Sequence, residues 1–90
     1  MSTDELVRYR AAMDAINQRL CEVLQERARL CREIGRWKRA HGVPAADPAR
    51  EQAMLEALLV HAGQCFDAAA LERILRSVFH ESRMLVDGRA

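Results

Sequence analysis

Ninety residues are enough for one domain, and a chain that is 50% apolar and 30% charged folds rather than staying disordered. The formal net charge of +1 supplies neither the field expected of a nucleic-acid-binding module nor a polybasic membrane patch. The stretch MSTDELVRYR has no apolar centre and does not read as a signal peptide, and no run approaches the ~18 apolar residues of a membrane span. Cys21, Cys31 and Cys65 are odd in number and form no CxxC pair, which fits reduced thiols in a cytoplasmic protein. They share no ligand spacing with His41, His61 or His80, so no metal site is expected.

The pattern along the chain is that of three helices. Ser2, with Glu5 three residues on, is a candidate capping box. Leu6, Tyr9, Met13, Ile16, Leu20, Val23, Arg27, Leu30, Ile34 and Trp37 then follow a 3-4-3-4 spacing, a heptad seam that runs to about residue 40. Gly35 interrupts it mildly, an interruption the flanking pattern tolerates. HGVPAADP breaks this helix through Gly42, Pro44 and Pro48.

Asp47 reads as the N-cap of a second helix with Pro48 at its first position. Met54, Leu55, Leu58 and Leu59 form its apolar side, and it is expected to stop near Gly63. Asp67 can cap a third helix, in which Leu71, Ile74, Leu75, Val78, Ser82 and Leu85 keep helical spacing to about Val86; the tail DGRA reads as frayed. The first helix is about 55 Å long and the others about 20 and 30 Å. Two short helices do not cover so long a seam, which predicts an all-α, intertwined helical homodimer built from one domain over residues 1–90.

Several charges sit where an amphipathic helix would not place them. Arg27 interrupts the seam between Val23 and Leu30, and Lys38, 11 residues on, falls on the same face about 16 Å away along the axis. Both can snorkel with their heads in water; two on one stripe can also grip a small anion. Arg10 lies 17 residues before Arg27, about 25 Å away, so within one helix the two cannot hold one small molecule. In an antiparallel pair of helices, Arg10 of one chain approaches Arg27 of the other. Asp47, Arg50 and Glu51 cluster where the second helix begins, which capping and the helix dipole already explain. Ser82 takes an apolar position on the third helix, where serine commonly bonds its own i−4 carbonyl. No nucleophile motif, metal-binding helix motif or Gly-rich phosphate loop is present.

Taken as an ordered set, these residues resemble the all-helical class of chorismate mutases from about Arg10 to Val86. The set is R-x16-R-x10-K (Arg10, Arg27, Lys38), then D-x-x-R-E (Asp47, Arg50, Glu51), then Ser82. The resemblance implies an intertwined homodimer that converts chorismate to prephenate by a concerted [3,3] rearrangement, with no cofactor, metal or nucleophile. It also implies roles. Arg27 and Arg10 of the neighbouring chain clamp carboxylate, and Lys38 bonds carboxylate and the ether oxygen. Glu51, with backbone near Asp47, holds the ring hydroxyl, and Ser82 contacts the ring end. Arg50 matches the motif. Such chemistry asks the protein to hold a folded conformer and to meet charge growing on the breaking ether oxygen.

One position departs from the family pattern. Val86 falls where a Gln or Glu usually points at the ether oxygen, and valine cannot donate a hydrogen bond. Losing one oxyanion-type donor costs about 10²–10³ in rate. That leaves open a weak mutase, one that relies on Lys38 alone, and an enzyme for a related substrate. The related readings are an isochorismate-pyruvate lyase, against which Glu51 counts, and an aminodeoxychorismate mutase, whose substrate carries an amine in place of the ring hydroxyl. The non-enzyme reading is a helical dimer that binds or regulates a partner protein.

Overall fold

The first helix has strong local reasons to form: no proline inside it, acidic Asp4 and Glu5 at its positive end, and basic Lys38 and Arg39 at its negative end. The computed structural model describes residues 3–89, in which α1 (Thr3–Ala40, 38 residues) is followed by α2 (Pro48–Leu59) and α3 (Ala68–Val86), with no strand among the described residues. Ser2 of the expected capping box lies outside the described residues.

Both short helices start where the sequence places them. The Asp47 carboxylate accepts from the backbone N–H of Arg50 at 3.1 Å, and Pro48 occupies the first turn, where no N–H is needed. The Asp67 carboxylate accepts from Ala70 N–H at 2.9 Å. The end of α2 differs from expectation: it stops at Leu59 rather than near Gly63. Beyond it, His61 N–H donates to Leu58 O at 3.0 Å and Ala62 N–H to Leu59 O at 3.0 Å, so the chain winds on in tighter i→i+3 turns as far as Ala62.

The other two helices end in the same device. Gly42 (φ 65°) and Gly88 (φ 78°) take the left-handed conformation just past α1 and α3. The next residue then closes back over the helix end: Val43 N–H donates to Lys38 O at 2.9 Å, and Arg89 N–H to Met84 O at 2.9 Å. Gly88 N–H adds a bond to Leu85 O at 3.1 Å. The expected fraying of the tail is therefore corrected for residues 87–89, because a glycine in the αL well satisfies carbonyls that would otherwise depend on water.

The chain divides into two compact units, one ending at Leu30 and one beginning at Cys31. The first consists of α1 up to Leu30. Its seam residues Leu6, Tyr9, Met13, Ile16, Leu20, Val23 and Leu30 are 38–60% exposed. The second holds the last turns of α1 with α2 and α3, and α2 packs on α3 around Leu55 and Phe79, which are 2% and 3% exposed. Cys31 and Gly35 are the buried positions on α1.

Gly35 is more than a tolerated interruption. A Cβ there would overlap the carbonyl oxygen of Val86 and lie 3.1 Å from that residue's carbonyl carbon and Cα. The missing side chain is what lets the end of α3 lie against α1.

Gly35→Ala therefore sets a helix-propensity gain of ~1 kcal/mol against an overpacking cost of ~1–3 kcal/mol, and the obstacle is backbone that cannot swing aside. We expect a net loss and a lower urea midpoint. Gly42→Ala meets nothing within 4 Å and should lose only the ~1–2 kcal/mol of the left-handed conformation. An unchanged midpoint for Gly35→Ala would mean that α1 and α3 do not approach there.

Candidate active site

The last turn of α1 aims a cation at the loop that follows. Lys38 is half-buried, and its Nζ donates to Ala45 O at 3.2 Å. That carbonyl lies two residues before the Asp47 cap, so the ammonium comes to rest beside the start of α2. An ammonium has three donors, and one bond to a carbonyl leaves it able to bind an anion as well. Nearby, the His41 ring stacks on Trp37 with centroids 4.0 Å apart, and its Nδ1 lies 2.8 Å from Trp37 O. This arrangement accounts for His41 without a catalytic role.

The N-terminus of α2 presents Asp47, Arg50 and Glu51. Arg50 is exposed, and its backbone is the donor to the Asp47 cap. Glu51 N–H donates to Asp47 O at 3.1 Å, the first turn of the helix. The Glu51 carboxylate sits at the positive helix end, where the dipole favours its charge. It is 20% exposed and forms an ion pair with Arg83 of α3. Asp47, Glu51 and Arg83 line a cavity of about 240 Å³ between α2 and α3, together with Leu55, Arg76 and Phe79. Arg83 is steadied from its own helix too: its Nη2 lies 3.3 Å from His80 Nδ1.

Ser82 and Val86 lie on the last turns of α3 and are half-buried. The Ser82 hydroxyl donates to Val78 O at 2.7 Å, the i−4 bond expected of serine in a helix. Val86 lies against Gly35, three residues from Lys38 on the same face of α1. Its carbonyl accepts from Arg39 Nη1 at 2.8 Å. A guanidinium on a helix C-terminus meets both an orphan carbonyl and the negative end of the dipole. Arg39 thus fastens the end of α3 to the end of α1.

Lys38, Asp47, Glu51 and Val86 all lie in the unit that begins at Cys31, where Lys38 reaches the loop before Asp47, Glu51 faces Arg83 and Val86 lies against Gly35. Arg10 and Arg27 lie in the other unit, Arg10 exposed and Arg27 half-buried. Arg39 and Arg83 are not among the residues the sequence points to. For Arg83 a signal existed: Arg76, Phe79 and Arg83 keep 3-4 spacing, which sets two arginines and an aromatic on one face of α3. No group of three or more His, Cys, Asp or Glu able to hold a metal ion occurs among the described residues. No helix there is long and apolar enough to cross a membrane.

Three helices, with no strand among the described residues, define the chain as an all-α protein. Residues 9–86, all but the first eight and last four of the chain, match chorismate mutase type II, and the chain belongs to that family. It superposes on chorismate mutase (form II) of Thermus thermophilus with a TM-score of 0.88 at 30% identity, covering 92% of this chain and 94% of that one. It is 32% identical to the 4-amino-4-deoxychorismate mutase of Streptomyces pristinaespiralis over 87 residues, which are 96% of this chain and 67% of that protein. It is also 32% identical over 74 residues to the T-protein of Haemophilus influenzae, covering 81% of this chain but spanning only 20% of the T-protein's length.

Asp47→Ala should cost ~1 kcal/mol by removing the cap of α2. A fall in substrate affinity beside it would place the turn that carries Glu51 at the substrate. Denaturant unfolding and a KM measurement check this together; a stability loss with unchanged KM would separate the cap from the site.

Proposed function

We propose that the chain converts chorismate to prephenate, acting as an intertwined homodimer in which each site takes Arg10 from the partner subunit. The observation that carries the reading is the gathering of Lys38, Asp47 and Glu51 at the junction of α1 and α2, in the order and spacing of the family. The reaction moves electrons within one molecule, so the site has no proton to transfer and no group to carry. It must hold a dianion folded and meet charge on the breaking ether oxygen. Arg27 and Arg10 of the partner subunit hold the carboxylates through charge-assisted bonds. Lys38 faces carboxylate and ether oxygen, Glu51 takes the ring hydroxyl, and Ser82 meets the ring end. Arg50 flanks the site.

The dimer is supported by the exposed seam. Seven seam residues of α1 up to Leu30 lie open, as do Ile34 and Trp37. Burying side chains of this kind is worth ~1.5–3 kcal/mol each, and a second copy of the same seam is the simplest cover. The single domain over residues 1–90 and a cytoplasmic location complete the proposal; three cysteines, odd in number and without a CxxC pair, fit a reducing compartment.

Val86 leaves the ether oxygen without the side-chain amide or acid of its relatives, so Lys38 is its sole proposed donor and turnover is slow. A second reading, rearrangement of 4-amino-4-deoxychorismate, is favoured by the Streptomyces pristinaespiralis relative, which aligns with 96% of this chain.

Chorismate loss and prephenate formation with the purified protein test the activity directly. Lys38→Ala and Arg27→Ala should each lower kcat/KM at least about tenfold, ~1.4 kcal/mol of transition-state stabilisation, while sedimentation still reports a dimer. Unchanged kinetics in both would remove the assigned roles. Val86→Gln should raise kcat by restoring a donor. Refolding Arg10→Ala together with Lys38→Ala should restore roughly a quarter of wild-type activity, because half the dimers are mixed and each of these has one complete site. No recovery would place Arg10 outside the partner's site.

A further inference from the structure

We propose that Arg83 sets which ring substituent the site accepts: paired with Glu51 in the α2–α3 cavity, it selects a neutral hydroxyl over a cationic amino group. This deepens the proposed function and rests on Glu51 as the ligand of that substituent. The two candidate substrates differ at one position. One carries a hydroxyl; the other carries an alkyl amine, which holds its proton at neutral pH as lysine does.

A lone, largely buried carboxylate would favour the ammonium, since opposite charges attract strongly away from bulk water. Glu51 is not alone. Arg83 Nη1 binds its Oε1, so the pair carries no net charge. A carboxylate has about four lone-pair sites, so it can hold Arg83 and still accept a hydroxyl proton. An ammonium drawn to the same carboxylate would have to sit beside a guanidinium, with like-charge repulsion.

The other charges lining the cavity do not reverse this. Asp47 caps α2, so its carboxylate faces the positive end of that helix. Arg76 is paired with Glu72 at 3.3 Å. Arg83 is also positioned rather than loose. It is anchored by Glu51 from α2 and by His80 from its own helix, where Nδ1 must be the acceptor because a guanidinium only donates.

The test is kcat/KM for chorismate and for 4-amino-4-deoxychorismate with the wild-type protein and with Arg83→Met, Arg83→Gln and Arg83→Lys. Wild type should prefer chorismate at least about tenfold. Arg83→Met removes the charge at similar bulk and should narrow the preference by about tenfold or more, with the amino substrate gaining in absolute terms. Arg83→Gln serves the same purpose if methionine prevents folding. Arg83→Lys keeps the positive charge and should keep most of the preference. A merely structural role would lower both substrates alike and leave their ratio fixed, which would overturn the proposal. A wild-type preference for the amino substrate would overturn it too. Turnover of chorismate with an unmoved ratio removes Arg83 alone, whereas turnover of neither substrate removes the enzymatic reading and this inference with it.

Discussion

The close approach of α3 to α1 at Gly35 is the constraint on which the site depends. Without a side chain at that position, the Val86 backbone reaches the surface of α1. Arg39, one turn on, then bonds the Val86 carbonyl and draws the end of α3 down. Arg39 also packs beside Gly88, where a Cβ would come within 3.3 Å of its Nη1, so the glycine that closes α3 leaves room for the guanidinium that fastens it. Lys38 is the neighbour of Arg39 and reaches the next loop. One missing Cβ and one guanidinium thus fix where a half-buried ammonium stands relative to α2 and α3.

Cations inside a helical assembly are expensive unless something anionic meets them. Here the local answer is modest: a single carbonyl for Lys38 and a partly exposed carboxylate for Arg83. Such pairs add little stability; exposed ion pairs are worth ~0–1 kcal/mol. In the proposed function their value is chemical. A desolvated site lined with fixed donors gains little from refolding around its substrate and much from charge already in place. A doubly anionic substrate makes basic residues on an apolar seam intelligible, where the stability of the chain alone does not.

The pairing of Glu51 with Arg83 has a related consequence. A carboxylate can accept from a hydroxyl or attract an ammonium, and the proteins similar to this chain include a chorismate mutase and a 4-amino-4-deoxychorismate mutase. A neighbouring guanidinium changes the field at that oxygen without changing its ability to accept a hydrogen bond.

Much was legible in the sequence because it is local or periodic. The heptad seam gives α1, the Asp47–Pro48 and Asp67 caps fix the starts of α2 and α3, and Arg10, Arg27, Lys38, Asp47 and Glu51 stand out by order and spacing. What only the tertiary structure decided depends on contacts between residues far apart in the chain. Gly35 reads as a weakness in a helix until the end of α3 is placed on it. Arg39 reads as one more basic residue until it caps another helix 47 positions away. Arg83 reads as a surface arginine until α2 brings Glu51 across 32 residues. Helical periodicity encodes which face a residue occupies; it carries no information on which residue of another helix will meet it.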